Sequence, residues 1–500
     1  MNDRKQSYAR ILKSSSLIGG AQGINMLIGM IRVKCVAILI GPIGIGLVAT
    51  YQSLMQMLTT VAGLGLQSSA VRDISKAVAN GDIERTARIV LSLRRMCFLT
   101  GSLGSISVIL LSPILSDITF NSLEHKTDIA LIGLTILFAN LRGGQMALIQ
   151  GYRNISDLAK LNVIGTILGS LISVVLYWLL GLKGIVPALL ALSTIELASS
   201  WWFARKIPVP QVSMKWSESL REAGGMIKMG LAFMWNGLMI AIVAYLTRLI
   251  ITQEISLLAV GIFAAAFALS GMIVNFILGA MGADYYPSLT AINNDNKKMR
   301  VLVNQQTEIG LLLAIPGIIA TLAFSPLIIK LFYTSDFSQS SELLRWFIIG
   351  CIGRVLSWPM GFIILAKGFS KIFVFTETTI NIIHIILIVV LLSYFGIEGV
   401  AIAYPILYTI YTVMMLVVSK YLIDFKWSRE VINTLLLVIT FTSIVFVSIE
   451  LLTQFQSSIV GLVVTFIVSV FCINKLSERL GSEHKLNKIL NKSRLLRRKC

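Results

Sequence analysis

The sequence predicts an all-α polytopic membrane protein with about 14 transmembrane helices, arranged as two six-helix bundles and two extra C-terminal helices. Only 13% of its 500 residues are charged and 56% are hydrophobic, whereas a soluble domain has about 25% charged residues. The mean hydropathy is +0.83. Apolar runs of about 18 or more residues, the length that spans a bilayer, recur along the whole chain.

Each expected helix corresponds to one of these apolar runs, and short loops join nearly all of them. The runs lie near residues 11–40, 45–70, 88–112, 128–150, 158–180, 184–204, 226–251, 256–282, 302–330, 341–366, 372–394, 397–422, 431–452 and 456–474.

Lysine and arginine are distributed unevenly between the two sets of loops. With the N-terminus in the cytoplasm, roughly 34 of the 43 lysines and arginines lie on the cytoplasmic side. The outer loops then keep about four, namely Lys126, Lys183, Lys330 and Arg345. Because cytoplasmic loops carry the excess of positive charge, both termini are expected inside. This topology accounts for the net charge of +19 without a nucleic-acid partner.

The chain contains an internal repeat. Residues 44–49 resemble residues 259–264, and residues 181–186 resemble residues 396–401, both at an offset of 215. A shared offset indicates duplication of a six-helix unit, whose copies would have the same orientation and be related by an axis along the membrane normal. The expected organisation is an N-terminal bundle at 1–204, a cytoplasmic linker at 205–225, a C-terminal bundle at 226–422, helices 13 and 14 at 423–474, and a basic cytoplasmic tail at 475–500.

Five cationic side chains fall inside the expected helices. Each costs about 2.5 to 3.5 kcal/mol at mid-membrane, so it needs water, a partner or a ligand. Arg142 and Arg354 are deepest, while Arg32, Lys34 and Arg248 lie nearer the outer surface, where snorkelling is the alternative. A guanidinium binds phosphate through paired hydrogen bonds and keeps its charge. The excess of cations therefore predicts a phosphate-bearing ligand for which these five residues are the candidates. For Arg354 the alternative is a structural pair with a buried carboxylate.

Embedded acids and histidine are few. Glu196 and His384 lie near the middle of their helices, and Glu308 and Glu377 lie within about two turns of the cytoplasm. Carboxylates and imidazoles carry protons in membrane transporters, but each is also a suitable static partner for an arginine. Both interpretations, ion coupling and structural pairing, stay open for all four residues.

Enzyme signatures are absent from the sequence. It has no GxxxxGK[ST] phosphate loop, GxSxG or HExxH motif, and its five cysteines form no CxxC pair, which argues against a zinc site. We therefore expect no enzyme, no metal and no cofactor.

Four short motifs lie at the ends of expected helices: GPIGIGL at 41–47, YYPSL at 285–289, LF at 331–332 with DF at 336–337, and LAKG at 365–368. With these the whole chain resembles the Wzx-type O-antigen translocases. They are flippases of lipid-linked oligosaccharides in the multidrug, oligosaccharidyl-lipid and polysaccharide exporter (MOP) superfamily.

The resemblance implies alternating access around a cationic central cavity in a bacterial inner membrane. The implied cargo is undecaprenyl-diphosphate-linked oligosaccharide, the O-antigen repeat unit, moved from the cytoplasmic to the outer leaflet. Helices 13 and 14 would help to receive the polyprenyl tail. The implied partners are this cargo, membrane lipids and other polysaccharide assembly proteins.

Three alternative functions stay open, and the first two predict features that differ from those of an oligosaccharide flippase. A multidrug antiporter of the same superfamily, exporting organic cations, predicts a cavity dominated by carboxylates. A membrane-bound polysaccharide polymerase or ligase predicts a sizeable outer loop, and the longest one here, around 112–127, is short. A flippase for a peptidoglycan precursor is a closer variant that composition alone does not separate.

Overall fold

A computed structural model describes the backbone of residues 2–480 and the side chains of residues 23–479, apart from 232, 233, 273, 280, 283 and 284. Most of the expected basic tail therefore lies outside the described residues. The described chain contains α-helices, two short 3₁₀ turns and no strand. The helices are α1 Asn2–Gly63, α2 Leu66–Ala79, α3 Ile83–Phe120, α4 Lys126–Gly151, α5 Ile155–Leu180, α6 Ile185–Ala204, α7 Trp216–Glu254, α8 Leu257–Ala291, α9 Asn296–Ala323, α10 Ser325–Phe332, α11 Ser340–Ala366, α12 Ser370–Ile423, α13 Arg429–Leu451 and α14 Gln454–Leu480.

Two of these helices, α1 and α12, each consist of two arms that meet at a glycine. Gly41 has φ 60° within α1, and Gly396 has φ 58° within α12, a left-handed conformation that glycine adopts without a Cβ clash. Counting the arms separately and leaving out the short α2 and α10, the described chain has 14 helical segments, which agrees with the predicted number.

By length and composition, ten described helical stretches could cross a membrane. Three of them, Gly23–Gly63, Ile155–Ala204 and Ser370–Ile423, each hold two of the predicted helices, and Leu257–Met272 is a shorter apolar helix. The all-α, polytopic membrane fold class is therefore confirmed.

The second expected helix ends earlier than the apolar run suggested, because α1 crosses α7 there. A Cβ atom at Gly65 would lie 2.0 Å from the carbonyl oxygen of Gly230, and one at Gly230 would lie 2.3 Å from that of Leu64. Gly65 has φ 65° and separates α1 from α2. The two glycines therefore permit main chain to pack on main chain, as small residues do between membrane helices.

The internal repeat reappears in the backbone geometry. Gly181 and Gly396, one repeat apart, have φ values of 57° and 58°. Gly184 and Gly399 follow at equivalent positions, and a Cβ atom there would lie 2.4 Å and 2.0 Å from the carbonyl oxygen eight residues earlier. The same turn is thus built twice, before α6 and before the second arm of α12.

The second arm of α1, which follows Gly41, packs closely on the start of α8. A Cβ atom at Gly46 would lie 2.1 Å from the carbonyl oxygen of Leu257, and one at Gly261 would lie 1.9 Å from that of Pro42. Both pairs, 46 with 261 and 42 with 257, are separated by the repeat offset of 215. The contact is therefore reciprocal between equivalent positions.

The chain divides into two compact units. The first runs to Ala264 and includes Leu331–Phe337, and the second comprises Ala265–Lys330 and continues from Ser338. The first unit thus contains α7 and the start of α8, and α7 packs there against α1, α2 and α3. The candidate site is described below for each unit by itself.

Candidate functional site

A polar cavity of about 240 Å³ lies in the first unit, among α1, α4, α5 and α6. Three residues singled out from the sequence, Arg32, Arg142 and Glu196, line it together. Its other lining residues are Asn25, Leu161, Asn162, Gly165, Thr166, Ser170 and Leu192. We call this space the charged cavity. With two guanidinium groups and one carboxylate, its charged side chains sum to a net positive charge when all are ionised.

The carboxylate of the charged cavity is paired with one of its two arginines. Arg142 Nη1 lies 3.5 Å from Glu196 Oε2, and about one third of each side chain is exposed. At this distance and exposure the pair contributes little to stability. It leaves most donors of the guanidinium free for another anion, since arginine has five N–H groups.

Three polar atoms on residues that line the charged cavity are buried without a hydrogen-bond partner among the described residues. They are Asn25 Oδ1, Arg142 Nε and Ser170 Oγ. An unpaired buried polar group costs about 1 to 3 kcal/mol, so such groups call for an explanation. Two of the three atoms can donate a hydrogen bond, and a polar ligand would reach them if the side chains that cover them move.

Arg32 occupies the α1 side of the charged cavity. Its guanidinium lies close to the hydroxyl of Tyr177, a fully buried side chain of α5. Tyr177 therefore helps to hold Arg32 against the bundle rather than in lipid. This placement differs from the snorkelling alternative considered for the outer cations.

The other two predicted cations of the first unit lie outside this cavity. Lys34 donates a hydrogen bond from Nζ to the carbonyl oxygen of Tyr333, in the segment Leu331–Phe337 that belongs to the first unit. Arg248 donates to the Ala244 carbonyl oxygen at 2.7 Å, and its guanidinium lies 5.8 Å from the ring centroid of Phe263. Its buried Nε has no partner among the described residues.

In the second unit, Arg354 is surrounded by neutral polar groups. It donates from Nη2 to Asn275 Oδ1 at 2.6 Å and lies near the hydroxyls of Tyr404 and Tyr408, two rings of α12 that pack at a centroid distance of 4.8 Å. No carboxylate forms an ion pair with Arg354 among the described residues. The guanidinium is thus held in position without being neutralised.

Two of the candidate coupling residues lie on the first arm of α12. Glu377 accepts a hydrogen bond from the Tyr411 hydroxyl at 2.8 Å, and His384 makes no hydrogen bond to any described residue. The repeat offset of 215 relates Glu377 to Asn162 and Tyr411 to Glu196. In the first unit both equivalent residues line the charged cavity.

Glu308 is part of a structural ion pair. Its buried Oε1 accepts hydrogen bonds from Arg479 Nη2 at 3.0 Å and Nε at 3.2 Å, which joins α9 to α14. One turn and two turns earlier on α9, Asn304 bonds the backbone of Lys426 and Arg300 bonds Asp424. Residues four apart lie on one helix face, so this row attaches α14 and the segment between α12 and α13 to α9.

Sequence reasoning missed the neutral side chains of the charged cavity. Asn162, Thr166 and Ser170 are spaced four residues apart on α5, and Asn25 adds an amide from α1. A row of polar residues at this spacing inside an apolar helix marks one helix face. That periodicity was the signal available in the sequence. Among the described residues there is no group of acidic, histidine and cysteine side chains that could hold a metal ion.

The fold is that of MOP superfamily transporters. It resembles the lipid II flippase MurJ in an inward closed conformation, with a TM-score of 0.67 and 15% identity over 92% of this chain and 99% of that chain. It also resembles an inward-facing multidrug resistance MATE transporter of the MOP superfamily, with a TM-score of 0.65 and 14% identity over 82% of this chain and 94% of that chain.

The chain belongs to the polysaccharide biosynthesis protein family, whose sequence profile matches residues 35–342. A curated relative is the lipid III flippase of Escherichia coli K12, which is 22% identical over 400 residues, or 78% of this chain and 92% of the relative. The family match and the shared fold confirm the predicted kind of family. The curated relative is a flippase and the two solved structures are a flippase and a transporter, in agreement with the prediction of a transporter rather than an enzyme.

Proposed function

We propose that the chain is a flippase for undecaprenyl-diphosphate-linked oligosaccharide, such as an O-antigen repeat unit, in a bacterial inner membrane. It would move the head group from the cytoplasmic to the outer leaflet by alternating access. The two six-helix bundles at 1–204 and 226–422 would rock about the cargo, joined by the cytoplasmic linker at 205–225. The family and the lipid III flippase relative support lipid-linked cargo.

The observation that carries this proposal is the charged cavity with Arg32 and Arg142. Phosphate oxygens accept paired hydrogen bonds from a guanidinium, and the buried Nε of Arg142 has no other partner among the described residues. An incoming phosphate would replace Glu196 at Arg142, since both are anions that use the same donors. An organic cation would instead meet a net positive charge, two guanidinium groups against one carboxylate, which disfavours the multidrug alternative.

The remaining predicted cations fit the same cargo at other stages of transport. Arg354 offers a guanidinium without a carboxylate partner among the described residues, held by Asn275. Arg248 retains a buried Nε without a partner among those residues. Lys34 donates a hydrogen bond to the Tyr333 carbonyl oxygen, which does not neutralise the positive charge that a phosphate would meet.

The membrane potential would favour the outward direction. A diphosphate diester carries about two negative charges, and each is worth about 2.3 kcal/mol at 100 mV. An inside-negative potential of that size therefore favours outward transfer by roughly 4 to 5 kcal/mol. If an ion is also coupled, Glu196, Glu308, Glu377 and His384 are the candidates. In the structure Glu196 is paired with Arg142 and Glu308 with Arg479.

Deleting the gene in its host tests this function. We expect loss of the corresponding surface glycan and accumulation of its undecaprenyl-diphosphate-linked precursor in the inner leaflet, because synthesis continues without translocation. Both would be measured by glycan staining and by mass spectrometry of extracted lipids. Normal surface glycan in the deletion strain, or export of ethidium by the purified protein in liposomes, would contradict the proposal.

The proposed orientation predicts a labelling pattern. In a background without native cysteines, Ser213→Cys in the linker should resist a membrane-impermeant maleimide added to intact spheroplasts. Thr127→Cys, in the first turn of α4 at the expected outer end of that helix, should react. Both residues are exposed in the structure. After the membrane is permeabilised, both sites should react. Labelling of position 213 in intact spheroplasts would contradict the proposed orientation.

A further inference from the structure

A second cavity of about 270 Å³ lies in the first unit, among α1, α2, α3, α4 and α7. None of its described lining residues is charged. Its polar side chains are amides and hydroxyls, contributed by Gln56, Thr59, Thr60, Gln67, Ser68 and Asn140. We call this space the neutral cavity.

Several polar groups of the neutral cavity have unused hydrogen-bonding capacity. Asn140 donates from Nδ2 to the Ile136 carbonyl oxygen at 3.0 Å, which uses one of its two N–H donors. Gln67 and Ser68 are exposed, and their side chains make no hydrogen bond to any described residue. The cavity therefore offers uncharged donors and acceptors on more than one side.

Glycines form much of the remaining wall. A Cβ atom at Gly63 would lie 3.2 Å from Asn140 Oδ1, and one at Gly143 would lie 3.3 Å from Gln67 Oε1. A Cβ atom at Gly237 of α7 would have Thr60 Cγ2 as its neighbour at 3.8 Å, so a side chain there would extend into the cavity. The space thus exists because these positions lack side chains.

This lining suits an uncharged, hydroxyl-rich group. A charged group would lose its hydration and gain no opposite charge, whereas sugar hydroxyls both donate to and accept from amides. At about 30 Å³ per water, the volume corresponds to roughly nine water molecules, which is the scale of a single pyranose ring.

Helix α4 contributes to the walls of both cavities. Arg142 lines the charged cavity, and the adjacent Gly143, together with Asn140, lines the neutral one. We propose that the neutral cavity binds an uncharged sugar ring of the cargo while the charged cavity binds its phosphate. This proposal rests on the proposed flippase function and adds to it the sugar-contacting side of the site.

Lipid binding to the purified full-length protein in nanodiscs tests the proposal. The two probes are undecaprenyl diphosphate and undecaprenyl diphosphate bearing one N-acetylglucosamine. We expect the wild type to bind the sugar-bearing lipid at least tenfold more tightly. Gly237→Leu, which fills the cavity, and Gln67→Leu, which removes an amide at similar volume, should each abolish this preference and change the affinity for the sugar-free lipid by less than twofold.

Gly224→Leu is the matched control, because it lies on α7 at a position where a Cβ atom meets nothing within 4 Å. It should retain the preference for the sugar-bearing lipid. Gln67→Leu keeps the test valid if Gly237→Leu does not fold. An equal affinity of the wild type for both lipids, or a preference that survives in both cavity variants, would overturn the sugar site alone. A wild type that binds neither lipid would instead refute the flippase function.

Discussion

Arg142→Ala is expected to lower cargo binding and flipping by about 10- to 150-fold. The proposed contact is a charge-assisted hydrogen bond between guanidinium and phosphate, which contributes about 1.5 to 3 kcal/mol, and 1.4 kcal/mol corresponds to a factor of ten. The charged cavity keeps Arg32 in this variant, so some binding should remain. The measurements are the dissociation constant of undecaprenyl diphosphate in nanodiscs and the amount of surface glycan in cells at matched protein levels.

Glu196 provides the controls for this prediction. Glu196→Gln removes the anion that occupies Arg142, so cargo should bind more tightly, the opposite direction from Arg142→Ala. The double variant Arg142→Ala with Glu196→Gln leaves no unpaired carboxylate in the cavity. Comparing it with Arg142→Ala therefore separates the loss of cargo binding from a loss of protein stability. Arg142→Lys retains charge without the planar fork and should bind with intermediate affinity. Unchanged binding and flipping in Arg142→Ala would exclude this residue from the site.

Gly261→Val is expected to destabilise the folded protein by about 3 kcal/mol or more, at the upper end of the usual cost of overpacking. The added Cβ atom would lie 1.9 Å from the carbonyl oxygen of Pro42. This neighbour is backbone, so relief requires α8 and α1 to move apart. Thermal unfolding in detergent and the yield of monodisperse protein measure the effect.

The reciprocal contact provides a second variant and a control. Gly46→Val places its Cβ atom 2.1 Å from the Leu257 carbonyl oxygen and should destabilise to a similar extent. Gly29→Val lies on the same helix α1, where a Cβ atom meets nothing within 4 Å, so it reports the cost of valine itself. Wild-type unfolding temperatures for both Gly46→Val and Gly261→Val would show that this crossing does not hold the helices together.

Apolar run length predicted the helices, because crossing a bilayer requires a minimum number of apolar residues whatever the packing. The repeat was also visible in the sequence. It survives at Gly181 and Gly396, and at Gly184 and Gly399, where a positive φ or a close main-chain approach excludes other residues. At many other equivalent positions the side chains differ, since a lipid-facing position accepts many apolar residues.

Pairing within the site was not predictable, because it depends on how distant helices rotate about their axes. Arg142 and Glu196 are on α4 and α6 and lie 54 positions apart in the sequence, with nothing local to signal their contact. Lys34 bonds a backbone carbonyl, which every residue possesses. Arg479 falls within the expected basic tail at 475–500, so the sequence indicates no partner for Glu308.

The pair of Glu308 and Arg479 has a consequence for biosynthesis. The two residues are separated by 171 positions, and ribosomes add about 5 to 20 residues per second. Arg479 would therefore be synthesised roughly 10 to 30 s after Glu308. During that interval the carboxylate must be solvated by water or contacted by the translocon or lipid head groups. A stop codon before α14 would leave Glu308 without Arg479, so the truncated chain should be recognised by quality-control proteases.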